Sequence, residues 1–203
     1  MIINRVLDHI FINTSNLAVL RVLNDRIIGL SGRETARLAG ISLRAAQLSL
    51  NSLEKLKIVN RHYGGREHSF TLNRNNYIAK EIISNIFSTE ESFRTIIISH
   101  IIKKLAKLTD SVILFGSVAR QEESTDSDMD ICIVYSKKIK EIEKAVSILR
   151  DMLNDKFGVT LAPFYITRKE FKTRVRKSKS PVDSIIKEGK VISGLSIKSM
   201  ING

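Results

Sequence analysis

One stretch constrains this chain more than any other. Residues 114–134 read Leu-Phe-Gly-Ser-Val-Ala-Arg-Gln-Glu-Glu-Ser-Thr-Asp-Ser-Asp-Met-Asp-Ile-Cys-Ile-Val. An apolar run ends in Gly116-Ser117, a polar segment follows, and Asp128-Met129-Asp130 opens a second apolar run. The pattern predicts a strand, a short helix and another strand. Gly116 lets backbone N–H groups approach a ligand with no side chain in the way. A helix opening at Ser117 would turn free N–H groups and a positive dipole end toward phosphates, with the Ser117 hydroxyl as a further donor. Side chains two apart on a strand share a face, so Asp128 and Asp130 converge while Met129 faces the other layer. Two carboxylates on one side suit hard cations such as Mg2+. They could hold two ions on the order of 4 Å apart.

Taken alone, a Gly-Ser turn or an Asp-x-Asp at a strand start is usually structural. In this order, between two apolar strands, they point to phosphate and metal. The segment resembles the signature of the nucleotidyltransferase superfamily related to DNA polymerase beta, in particular the minimal nucleotidyltransferases. Their pattern is Gly-Ser, ten residues, then Asp-x-Asp, and residues 118–127 supply that spacing here. Arg120 fits the usual Gly-Ser-x-Ala-Arg-Gly, whereas Gln121 stands where Gly is usual. The resemblance implies that Asp128 and Asp130 are catalytic and bind Mg2+, two ions in an active member. It also implies that Gly116, Ser117 and Arg120 bind the phosphates of an NTP, expected to be ATP. Active members carry a third carboxylate on a later strand. The matching stretch, residues 159–167, contains no acid; Asp155 precedes it and Glu170 follows it.

The first part of the chain reads differently. Residues 16–25 are periodic, with Leu17, Val19, Leu20 and Leu23 on one face. Ser31-Gly-Arg-Glu34 is a capping box, 39–41 form a tight turn, and Ser42 caps a helix over 43–56. Strands near 58–62 and 69–72 flank a hairpin turn at Tyr63-Gly64-Gly65-Arg66. Three helices and a hairpin resemble the winged helix-turn-helix domains of archaeal and bacterial regulators. On the second helix of that motif Ala46, Ser49, Leu50 and Leu53 face the core. Leu43, Arg44, Gln47, Leu48 and Asn51 then point outward, and Arg44, Gln47 and Asn51 could read base edges. Arg61, His62, Arg66 and His68 could meet phosphates from the wing. The competing reading is a winged helix used for homodimerisation or domain packing.

The expected fold class is α+β in two domains: a winged helix-turn-helix over 1–87 and a small mixed α/β nucleotidyltransferase-like sheet over 88–203. Ser88-Thr-Glu-Glu91 reads as a capping box that starts a new helix through 108. The second domain continues with strands near 112–115, 130–135 and 160–166 and a helix over 140–156. This predicts a sheet covered on one side, and a tail broken at Gly189 and Gly194 whose last residues fray.

The net charge of +12 favours anionic partners: nucleotide, DNA or an acidic protein. The excess is densest between Arg168 and Lys179. That segment is either a solvated helix face or a surface for phosphate or nucleic acid. Apolar runs are too short to span a bilayer, and the first residues lack a signal-peptide pattern, so a cytoplasmic location is expected. The single cysteine, Cys132, fits a reducing compartment and a buried, small apolar role. Two functional readings stay open. One is Mg2+-dependent transfer of NMP from an NTP to a hydroxyl acceptor. The resemblance admits a protein acceptor, as in relatives that AMPylate a toxin partner. The other is a DNA-binding regulator or antitoxin-like protein whose second domain only binds nucleotide or a partner.

Overall fold

Short polar side chains set the helix starts in the first part of the molecule. The computed structural model describes residues 2–64 and 67–202. Contacts divide the chain into two compact units, 1–92 and 93–203. Between α1 (Val6–Ile10) and α2 (Thr14–Asn24), the Asn13 side chain accepts the Asn16 N–H at 2.7 Å. Buried Asn16 donates from Nδ2 to the Ile10 carbonyl at 2.9 Å, tying the two helices together. β1 (Leu30–Ser31) leads into α3 (Gly32–Ala39), opened by the expected capping box between Ser31 and Glu34. Gly40 ends α3 at φ 66°, a left-handed cap that glycine adopts without a Cβ penalty. Ser42 accepts the Ala45 N–H at 3.2 Å and starts α4 (Leu43–Lys55).

β2 (Val59–Gly64) and β3 (Glu67–Leu72) form the hairpin, with Val59 opposite Leu72 and Gly64 opposite Glu67. β1 adds to β3 to give a three-stranded antiparallel sheet in the order β1-β3-β2. At two residues β1 is too short for any periodicity to betray it. The core joins Ile10, Val19, Leu20 and Leu23 to Leu50, Leu53, Ile58, Phe70 and Leu72. Ala46, Ser49, Leu50 and Leu53 are the buried positions of α4, as its pattern requires. This is a winged helix-turn-helix arrangement.

The break expected at Ser88 does not occur. A π turn (Ala79–Ile83) passes directly into α5 (Ser84–Leu105). No Gly or Pro lies between 77 and 105 to stop the helix. Ser88, rather than capping a new start, donates its hydroxyl to the Asn85 carbonyl within the helix at 3.1 Å. The division into units falls within α5.

In the second unit, β4 (Ser111–Leu114), α6 (Gly116–Arg120), β5 (Met129–Tyr135), α7 (Ile139–Phe157) and β6 (Leu161–Thr167) follow the expected order. α8 (Arg168–Arg176), α9 (Val182–Glu188), β7 (Lys190–Gly194) and α10 (Ile197–Asn202) complete it. The sheet order is β6-β5-β4-β7, with β5 and β6 parallel and the other pairs antiparallel.

Two expectations are corrected here. The sheet is covered on both faces. Ile97, Ile101 and Leu105 of α5 and Ile142, Val146, Leu149 and Leu153 of α7 pack on Val112, Leu114, Met129, Ile131 and Ile133. Phe171, Val182, Ile185 and Met200 pack on Ile113, Cys132 and Val134 from the other side. Nor do Gly189 and Gly194 break the tail: β7, running from Lys190 to Gly194, completes the sheet edge, and the Ser111 hydroxyl, buried, donates toward the Ser193 and Leu195 carbonyls (3.2 and 2.9 Å). The alternation along β5 places Asp130 on the same face as Cys132 and Val134.

Candidate functional site

Backbone geometry brings the Gly-Ser turn onto Asp130. β4 and β5 run antiparallel with Leu114 opposite Ile131, and the Phe115 N–H reaches the Asp130 carbonyl at 3.1 Å. The chain then turns at Gly116, φ +73°, into the five-residue α6. A Cβ built on Gly116 would overlap Oδ2 of Asp130 and lie 3.1 Å from its Cγ. Glycine is required here twice over, by its φ and by the carboxylate pressed against it. α6 ends at Gln121, φ 63° and ψ 40°, a left-handed cap. That explains why a glycine is usual there in the resembled pattern. Between α6 and β5 the polar segment is folded on itself: the Ser127 hydroxyl accepts the Ser124 N–H at 2.9 Å, and the Ser127 N–H reaches the Ser124 carbonyl at 3.1 Å.

Asp128 is exposed and Asp130 half-buried. Burial raises the Asp130 carboxyl above its ordinary range, the neighbouring Asp128 charge raises it further, and Arg120 opposes both. Neither aspartate forms an ion pair among the described residues. Such a pair of hard oxygen donors, its mutual repulsion opposed only by the charge of Arg120, fits a divalent cation. Cys132, two residues further along the same face, is fully buried, and burial pushes its thiol up to about 12. It is a small apolar filler.

Arg120 is already engaged. Its Nε meets Glu122 at 2.7 Å, and its Nη1 meets both oxygens of Glu188, on α9, at 2.8 and 2.9 Å. Glu188 went unnoticed in the sequence because it lies 68 residues away. The two acids that flank the later strand stand apart from Asp130. β6 runs parallel to β5 with Ala162 opposite Asp130. Glu170 sits past the far end of β6, three residues after Thr167, which is itself five residues on from Ala162, or roughly 16 Å at strand rise. Its carboxylate accepts the Thr167 N–H and hydroxyl at 3.0 and 2.7 Å. Asp155 belongs to α7, on the opposite face of the sheet. Among the described residues no cluster of three or more His, Cys, Asp or Glu could hold a metal.

In the first unit Arg44 and Gln47 are exposed on α4, as is Asn51. Arg61 folds back onto that helix. Its Nη2 meets Asn51 Oδ1 and, at 2.7 Å, Glu54 Oε2, while its guanidinium lies 5.1 Å over the Phe70 ring. Gln47, Asn51, Arg61 and His68, with Leu43 and Phe70, line a hollow of about 380 Å³ between helix and hairpin. His62 is hydrogen-bonded to Thr71 at 2.8 Å, and His68 stacks edge-on against Tyr63 at 4.8 Å. Arg66 lies outside the described residues.

Residues 97–194 match the family Polymerase beta, Nucleotidyltransferase. The match spans most of the second unit, which has a nucleotidyltransferase-like fold and follows the winged helix-turn-helix unit in the sequence. No curated protein matches the chain. Among solved structures, it is similar to a homodimeric winged helix-turn-helix DNA-binding domain from Mycobacterium bovis, at 18% identity over 47% of this chain and 86% of that one, with a TM-score of 0.33. It is also similar to a toxin–antitoxin crystallised with AMP-PNP (21% identity, 51% of this chain, 74% of that one, TM-score 0.34). A mutant of the toxin–antitoxin MntA-HpeT gives 19% identity over 52% of this chain and 75% of that one, with a TM-score of 0.33. Among the described residues no helix is long and apolar enough to cross a membrane.

Proposed function

We propose that the second unit transfers a nucleoside monophosphate from an NTP, ATP in the first instance, to a hydroxyl acceptor. The observation that carries this is the contact between Gly116 and Asp130, which joins a side-chain-free phosphate approach to a metal-type carboxylate. Gly116 and Ser117 receive the phosphates through backbone N–H groups and the Ser117 hydroxyl. Asp128 and Asp130 would hold Mg2+, which supplies charge neutralisation and an activated acceptor oxygen when bound. In the step itself the acceptor oxygen bonds to the α-phosphorus, the bond from that phosphorus to the β-bridging oxygen breaks, and pyrophosphate leaves. The acceptor proton passes to solvent water, since Ala162 occupies the strand position opposite Asp130. The acceptor class left by the resemblance includes a hydroxyl on a partner protein.

Incubation with α-labelled ATP, Mg2+ and candidate acceptors tests the reading. Label transfer by the native chain and a fall of about a hundredfold or more in Asp128→Asn and Asp130→Asn are expected. Equal transfer by these variants would overturn it.

A second reading is favoured by Ala162 itself: a site without a third acid that binds nucleotide and reports it to a DNA-binding winged helix. Arg44 and Gln47, exposed on α4, would then read the DNA, with the chain acting alone or as a homodimer. Sequence-specific DNA binding weakened by Arg44→Ala, together with no label transfer, would select this reading.

A further inference from the structure

The segment from Arg168 to Lys179 carries seven Lys and Arg residues against one acid, Glu170, so it holds six of the chain's net +12. That one acid is already spent on the Thr167 cap. Among the described residues none of the seven cations forms an ion pair. Lys169, Thr173, Arg174, Lys177 and Lys179, together with Glu170, line one open groove of about 470 Å³. Like charges a helical turn apart destabilise a helix, and the concentration exceeds what complementing a helix C-terminus requires.

The kind of anion follows from what surrounds the cations. The apolar residues of α8 are turned inward: Phe171 is fully buried, and Val175 packs on the same core. No large exposed hydrophobic residue lies between 168 and 181. Protein interfaces have an apolar centre depleted of charge, and membrane-surface helices need an apolar face free to insert. The groove offers neither. It offers flexible ammonium groups, one hydroxyl and the Arg174 guanidinium, held 5.5 Å over the Phe164 ring, against a single carboxylate, Glu170, that is bonded to Thr167. Phosphate oxygens are met by such a set. We propose that the α8 groove binds the phosphate backbone of a nucleic acid strand, independently of the winged helix and of any chemistry at Asp130.

The test is fluorescence anisotropy on the full chain with labelled oligouridine, and with a labelled DNA duplex as a second arm, across a salt series. In Lys169→Ala/Lys177→Ala/Lys179→Ala, oligouridine affinity should fall on the order of tenfold. The slope of log K against log salt should become shallower by about 2, since each single-strand phosphate contact contributes about 0.7. Arg174 is kept in this variant so that its stacking on Phe164 survives, and an unchanged melting temperature shows that the fold does. Arg44→Ala/Gln47→Ala should bind oligouridine as the native chain does. The proposal is overturned if the triple variant binds as tightly as the native chain, if only the duplex binds and does so through Arg44 and Gln47, or if polyglutamate binds where oligouridine does not. Asp130→Asn should leave oligouridine binding intact whatever its effect on transfer, which separates this proposal from the catalytic one.

Discussion

Each unit presents an arginine placed by its sequence near phosphate, and in each the guanidinium is held by glutamate. Arg61 of the wing meets Glu54 and Asn51 and lies over Phe70. Arg120 of α6 meets Glu122 and Glu188. The difference lies in what else holds them. The side chain of Arg61 is 21% exposed and that of Arg120 is 42% exposed. Exposed ion pairs contribute little, roughly 0–1 kcal/mol, so a triphosphate can take Arg120 from Glu188 at small cost. Arg61 would have to give up an ion pair, a hydrogen bond and its aromatic neighbour. Gly116 and Asp130 differ from both arginines, because their contact is made by the backbone and a short side chain with fewer rotatable bonds. A site built on such a contact is more firmly determined than one built on long cationic side chains.

The largest effect that could break this contrast is at Gly116. Gly116→Ala forces a Cβ into Oδ2 of Asp130 at a backbone φ of +73°. A loss of about 2 kcal/mol or more is expected, together with loss of nucleotide binding. Thermal melting and calorimetric titration with a non-hydrolysable NTP and Mg2+ measure the two. Adding Asp130→Ala removes the overlapping oxygen, so stability should recover in part while nucleotide binding stays lost. If Gly116→Ala alone binds nucleotide normally, the backbone contact is not what defines the site.

Ser111→Ala comes next and probes a part of the second unit that the sequence concealed. The buried hydroxyl holds the Ser193 and Leu195 carbonyls. Its removal is expected to cost about 1–2 kcal/mol and to raise amide exchange along β7. Unchanged protection of residues 190–194 would show that the strand holds without this tether.

How much could be read in advance follows the same physics. The caps at Ser31 and Ser42 were legible because each acts within three residues, and the buried face of α4 because its period is local. The Gly116-Ser117 and Asp128-Met129-Asp130 pattern was legible because its chemistry is packed into one turn and one strand start. β7 was not, because a short run between Gly189 and Gly194 becomes a strand only by pairing with β4. The second covered face was hidden because Phe171, Val182, Ile185 and Met200 are scattered among cations and turns. The continuity of α5 was missed because Ser88 has the type and spacing of a cap, whereas its hydroxyl bonds backward into the helix. Glu54 and Glu188, partners of the two arginines, carry no local signal at all.

Glu188→Gln tests the arginine contrast itself. It weakens the hold on Arg120, and nucleotide affinity should rise severalfold if Arg120 meets phosphate, with stability changing by less than about 1 kcal/mol. Glu54→Gln should change DNA affinity less, since Asn51 and Phe70 still hold Arg61. Titrations with nucleotide and duplex DNA decide it. An equal response in both units would erase the distinction between a loosely and a firmly held arginine.

The smallest effect is expected at Gln121, and it isolates the reason Gly116 matters. Both residues have positive φ, +73° at Gly116 and 63° at Gln121. Only Gly116 has a carboxylate in the space a Cβ would fill, whereas Gln121 is exposed. A left-handed backbone costs a non-glycine residue about 1 kcal/mol, partly offset by the greater freedom glycine has when unfolded. Gln121→Gly should therefore stabilise the chain by up to about 1 kcal/mol and leave nucleotide binding unchanged, read by melting temperature and by the same titration. A gain as large as the loss in Gly116→Ala would mean that positive φ alone accounts for both positions and that Asp130 adds nothing. A small gain at Gln121 beside a large loss at Gly116 would assign the difference to the carboxylate.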